Sequence, residues 1–126
     1  MQFISPSTVV TPRGHYSPAV VHNGIIYVAG QLPLNQNGEP QLNSIAEQTR
    51  QCMHNIEQIL IASNSSLSHI IKVNIFVSDI ANWPAINTEY ARIMGSHKPA
   101  RIVIPCNTLN YGCGIEIDCI AAEKML

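Results

Sequence analysis

Charge is scarce in this chain: only 12% of its 126 residues are Asp, Glu, Lys or Arg, about half the roughly 25% of an ordinary soluble domain. With 46% of the residues hydrophobic, too few charges remain to coat a monomer, and the deficit points to a large subunit interface and hence a homo-oligomer. The competing reading is a monomer coated by its many Asn, Gln, Ser and Thr. No Lys/Arg cluster exists and the net charge is −1, so the multiple cationic contacts that hold a phosphate backbone are missing and nucleic acid is not an expected partner. No apolar run approaches the roughly 18 residues of a membrane span. Met1-Gln2-Phe3-Ile4-Ser5-Pro6 has neither a basic nor an apolar leader region, so the expected location is the cytoplasm, with no membrane partner. Cys52, Cys106, Cys113 and Cys119 form no C-x-x-C pair, which encodes neither a zinc knuckle nor a dithiol redox motif; free thiols are expected. No metal site, linker, repeat or low-complexity tract is visible, and 1–126 reads as a single domain with no need of a metal or disulfide staple.

Local signals are clearer. Asn23-Gly24 separates two β-rich runs within 18–33 and predicts a hairpin, because a two-residue turn of this kind needs positive φ at both positions. Asn35 to Asn43 collects Asn, Gly38 and Pro40 into a loop. Ser44 followed by Glu47 marks a helix start, and Ile45, Cys52, Ile56, Ile59 and Leu60 form one apolar stripe to about residue 62. Residues 69–77 read as a strand with Ile71, Val73, Ile75 and Val77 inward. A second helix is predicted from about Trp83 to Met94, allowing Pro84 in its first turn, stopped by Gly95 and burying Ile86, Tyr90 and Ile93. Strands at about 100–106 and 112–122 complete the order β-β-α-β-α-β-β. This predicts an α+β fold in which one mixed sheet carries both helices on a single face, leaving the other face to be covered by a second copy.

Two charges interrupt the apolar alternation of the last two strands. Arg101 shares a face with Val103 and Pro105, and Glu116 shares one with Asp118 and Ile120. A guanidinium can grip a carboxylate through two parallel hydrogen bonds, and a half-buried glutamate can move protons, so the pair suggests a pocket for a small anion. The alternative is a buried ion pair with no chemistry. His15, His22, His54, His69 and His97 form no ligand pattern.

Four segments in order carry a family resemblance over nearly the whole chain. Gly14-His15-Tyr16-Ser17-Pro18-Ala19-Val20 resembles a G-x-Y-S-x-A-V opening, and Tyr27-Val28-Ala29-Gly30-Gln31-Leu32-Pro33 is similar to an S/A-G-Q-x-P turn. Pro99-Ala100-Arg101 and Ile115-Glu116-Ile117 follow, with Arg101 and Glu116 fifteen residues apart. Together they resemble the Rid, or YjgF, family of reactive intermediate deaminases. The resemblance implies a chorismate-mutase-like fold, a homotrimer, and clefts between subunits that take small carboxylates without a cofactor. It also implies hydrolysis of 2-imino and 2-enamino acids, such as 2-aminoacrylate and 2-iminobutanoate, to 2-oxo acids and ammonia. By the same resemblance Arg101 binds the substrate carboxylate, Glu116 handles water and proton, Tyr16 lines the pocket, Gly30 offers backbone contact and Asn87 lies nearby. Taken alone, Tyr16 reads more readily as a core-edge residue than as a site residue, and Asn87 reads equally as a solvated helix position.

The chain departs from the pattern at Ile102 and at Val103, where many members have a small residue and Cys. Its Pro105-Cys106-Asn107-Thr108-Leu109-Asn110-Tyr111-Gly112 segment is unusual, and the stretch from Asn87 to Arg101 is about three residues short. Two rival functions attach to the same residues: a non-catalytic sensor of small carboxylates, and the endoribonuclease or translation-inhibitor activity attributed to some relatives.

Overall fold

Asn23 and Gly24 both take positive φ, 52° and 77°, and the chain reverses there between strand β2 (Ala19–His22) and strand β3 (Ile25–Gln31). The computed structural model describes residues 1–125; Leu126, the last residue of the expected 1–126 domain, lies outside the described residues. A short strand β1 (Gln2–Ile4), which the sequence reading missed, pairs antiparallel with β2. Three residues carry too little alternation to be recognised in a sequence. Helix α1 spans Ile45–Ala62, and its first turn is capped by the Ser44 side chain, which accepts from the Glu47 N–H at 3.1 Å. Strand β4 (Ile70–Val77), helix α2 (Trp83–Met94), strand β5 (Ala100–Pro105) and strand β6 (Ile115–Ala122) follow. Gly95, with φ 61°, ends α2 by returning its N–H to the Ala91 carbonyl.

The six strands form one sheet in the order β1-β2-β3-β6-β4-β5. Every pair is antiparallel except β4 with β5, which are parallel because α2 forms the crossover between them. The last two strands of the sequence are therefore not neighbours: β4 lies between them. Val28, Val73, Ile75, Ile115 and Ile117 point from the sheet into a core closed by Cys52, Ile56, Ile59 and Leu60 of α1 and Ile86 of α2. Both helices thus cover one face, and alternation sends the intervening residues to the other.

That second face has no cover among the described residues. Register aligns Phe3, Val20, Tyr27 and Ile120 in one row across it, and Phe76 between Glu116 and Ile104 in another. Phe3 is 67% exposed, Tyr27 48% and Ile102 49%.

Two irregularities reposition side chains. In β4 the register shifts between Ile70 and Lys72, and Ile71 turns out to solvent instead of inward as its place in the alternation predicts. In β3 one extra residue is accommodated between Val28 and Gln31, opposite β6.

Candidate active site

The β3 bulge sets the first half of the site. Because Ala29 and Gly30 stand where a regular strand would have one residue, Gly30 is brought beside the Glu116 side chain on β6. A β-carbon at position 30 would lie 2.7 Å from Glu116 Oε2, so only glycine lets the carboxylate rest against this backbone. Helix α1 fixes the surroundings. Asn55, buried on α1, donates to the carbonyls of Leu32 (3.2 Å) and Leu34 (2.9 Å), which holds the chain leaving β3. Gln48 accepts the Gly114 N–H at 2.8 Å, which anchors the entry to β6.

Glu116, Gly30 and Tyr16 line one cavity of about 380 Å³, with Arg13 and Tyr111 at its walls. Burial pushes the Glu116 carboxyl above its usual range, and the Asp118 carboxylate two residues on adds to the shift. Such an acid holds its proton closer to neutrality than an exposed glutamate and can both accept and return one.

Arg101 stands elsewhere. It pairs in register with Val73, whose side chain lies in the core under the helices, whereas Glu116 pairs with Phe76 on the uncovered face. The two charges therefore point to opposite sides of the sheet with β4 between them, and in a single chain they form no ion pair. The Arg101 guanidinium sits 4.8 Å from the Trp83 ring and 5.0 Å from the Tyr90 ring, and Nη1 donates to Asn87 Oδ1 at 3.0 Å. Arg101 and Asn87 line a second cavity, of about 370 Å³, together with Tyr90, His97 and Lys98. The Tyr90 hydroxyl is buried with no hydrogen-bond partner among the described residues, and desolvation raises its pKa. His97 is held by the Ile70 carbonyl, 2.8 Å from Nε2.

Within one chain the structure thus groups Tyr16, Gly30 and Glu116 on one side and Asn87 and Arg101 on the other. It also adds Arg13, Trp83 and Tyr111, which sequence reading passed over as site residues. Arg13 adjoins the Gly14-to-Val20 motif but sits in irregular chain where no periodicity singles it out, and Tyr111 falls in the unusual 105–112 segment. Trp83 stands four residues before Asn87, a helical spacing that places both beside Arg101. The cysteines are unpaired; Cys52, Cys113 and Cys119 are buried. Burial raises the Cys119 thiol to about 12, with Asp118 contributing. No group of three His, Cys, Asp or Glu side chains among the described residues is placed to hold a metal ion, and no helix among them is long and apolar enough to cross a membrane.

A mixed six-stranded sheet with two helices on one face, a glutamate packed on a glycine bulge and an arginine on the far edge strand define a class. The family model described as Endoribonuclease L-PSP matches residues 7–123, and the chain belongs to this family, the same one its motifs identify as Rid or YjgF. It is 39% identical over 120 residues to Protein MMF1, mitochondrial, of Saccharomyces cerevisiae, covering 94% of this chain and 83% of that protein. A RutC family protein of Pyrococcus horikoshii is 37% identical over 114 residues, 90% of each chain. Among solved structures, yeast Mmf1 superposes with a TM-score of 0.94 at 36% identity, covering 98% of both chains. A Rid family protein from Yersinia pestis superposes with a TM-score of 0.91 at 34% identity, covering 96% of this chain and 98% of that one.

Proposed function

We propose that this protein hydrolyses small 2-imino acids and their enamine tautomers to 2-oxo acids and ammonia, at sites shared between neighbouring chains of a homotrimer. What supports the reading is that one chain presents, at two separate cavities, an acid with raised pKa resting against Gly30 and a guanidinium that two rings and Asn87 hold in place. Their placement on different surfaces is compatible with a heterologous contact, which in a ring of three sets one patch of a chain against a different patch of the next. The apolar rows on the uncovered face supply surface for that contact.

In the reaction, the Arg101 guanidinium of one chain takes the substrate carboxylate through parallel N–H donors and fixes the plane of the adjacent C=N. Glu116 of the neighbour, as carboxylate, takes a proton from water while the oxygen bonds to the carbon of the protonated imine, C=NH2+, and the π pair moves onto nitrogen to give the neutral carbinolamine. The carbinolamine collapses when Glu116 returns its proton to nitrogen: the C–N bond breaks, ammonia leaves, and the hydroxyl becomes the ketone as its proton passes to the regenerated Glu116 carboxylate and on to solvent. Imines of this kind already react with water, so positioning and proton transfer account for the acceleration required.

The test mixes two defective proteins. Arg101→Ala and Glu116→Gln should each lower turnover at least a hundredfold when a dehydratase generates 2-aminoacrylate and pyruvate release is followed. Unfolded and refolded together in equal amounts, they should recover activity at about one quarter of the sites, because a shared site draws one residue from each chain. Absence of recovery, with trimers verified, would refute the shared site. The cytoplasm remains the proposed compartment, although the yeast relative is named mitochondrial; imaging a tagged full chain decides it. An RNase reading is supported by the family's description, but the net charge of −1 speaks against it, and RNA binding that weakens steeply with salt would be its signature.

A further inference from the structure

The cavity around Glu116 contains a cation the proposed chemistry does not use. Arg13 lies on its wall, with Nη2 donating to the Gly38 carbonyl at 3.0 Å and the guanidinium 5.4 Å from the centre of the Tyr111 ring. Three features of the local backbone keep it there. Gly38 has φ 82°, and a β-carbon on it would collide with the Arg13 guanidinium. Tyr111, under the guanidinium, holds φ 61°, which non-glycine residues rarely adopt. Asn35 Oδ1 accepts from the N–H of Asn37 and of Glu39, shaping the turn that presents the Gly38 carbonyl. The guanidinium is therefore anchored in two directions without a carboxylate partner: the ion pairs among the described residues join Glu89 to Arg50 and to Arg92, and Arg13 has none.

A stacked guanidinium retains N–H donors along its edge, in the geometry that matches a planar anion. Glu116, on the same cavity, does not satisfy them. We infer that Arg13 is a specificity-determining residue that recognises a second carboxylate on the ligand, so that the favoured substrates are 2-imino acids whose side chain ends in an acid group. This rests on the reading of Arg101 as the holder of the first carboxylate. A dianionic substrate then spans the cleft between two guanidinium groups, with its imine carbon beside Glu116. A volume of about 380 Å³ on this side alone accommodates the longer side chain.

The bland alternative is that Arg13 only ties its segment to the 35–38 turn, in which case its loss would affect all substrates alike. The experiment therefore reads a ratio. An amino-acid oxidase acting on D-glutamate or on D-alanine generates the acidic or the neutral imine in place, and residual imine is trapped with semicarbazide. The native protein should favour the acidic imine in kcat/KM. Arg13→Leu should lower the acidic-to-neutral ratio at least tenfold, and Arg13→Lys should restore part of it. A ratio unchanged in Arg13→Leu, or a native preference for the neutral imine, overturns the assignment. Calorimetric binding of 2-oxoglutarate against 2-oxobutanoate separates this from the reaction itself. If no imine is turned over, a dicarboxylate preference that Arg13→Leu abolishes still supports Arg13, and equal binding of the two acids overturns it.

Discussion

At residue 30 the requirement is for the absence of a side chain. The Glu116 carboxylate occupies the space a methyl group would take, at 2.7 Å from Oε2, so Gly30→Ala must push the acid away or open the bulge. The expected outcome is a fall of tenfold or more in imine hydrolysis with the fold retained, read from turnover alongside circular dichroism; unaltered turnover would show that the carboxylate position is not set here. Arg101 and Glu116 were legible in the sequence because charge inside an apolar alternation is costly and therefore conspicuous. What the sequence could not supply was their mutual position, because strand order is decided by crossover and pairing. Arg13 was illegible for the opposite reason: an exposed arginine in irregular chain is the commonest of surface features, and only the Gly38 and Tyr111 contacts distinguish it.

The elements followed the apolar pattern where it was long and faltered where polar groups are buried. Both helices, the hairpin and the last three strands lie close to where the pattern placed them, although the final strand starts at Ile115 and not at 112, because Asn110–Gly112 forms a helical turn; the inward turn of Gln48, Thr49 and Asn55 on α1 had no apolar signature. Asn55 is the consequential one. Replacing it with Leu leaves the Leu32 and Leu34 carbonyls without their donor, at a cost of about 1–3 kcal/mol, measurable by urea denaturation. The two helices are joined by Glu89, nearly buried on α2, which accepts from Arg92 and from Arg50 of α1. The hydrogen bond from Arg92 is the main cause that holds this carboxyl below its usual range, with Arg50 adding to it. The stabilisation is therefore present above the ordinary carboxylate pKa and is lost as pH falls through the lowered one. Glu89→Gln should be less stable than the native protein near neutrality, with the gap closing in acid; a gap constant with pH in thermal melts would count against the linkage.

For the whole molecule the decisive feature is the sheet face that no helix covers. In the proposed trimer its apolar rows become interior, which accommodates so low a charge count. Ile102, half exposed at the edge of that face, is a suitable probe. Ile102→Asp should shift sedimentation from trimer toward monomer and remove activity together with the assembly; a variant that stays trimeric would move the interface elsewhere. The order of elements made this uncovered face predictable, but it could not say that Arg101 would lie on the reverse side.

Because the glutamate's place is dictated by main-chain geometry at the β3 bulge, while Arg13 and Tyr111 belong to segments outside the sheet, the proposed reacting centre and its rim are structurally independent. On the proposed reading, a change of loop residues would alter which ligand is admitted while leaving the acid where the sheet holds it.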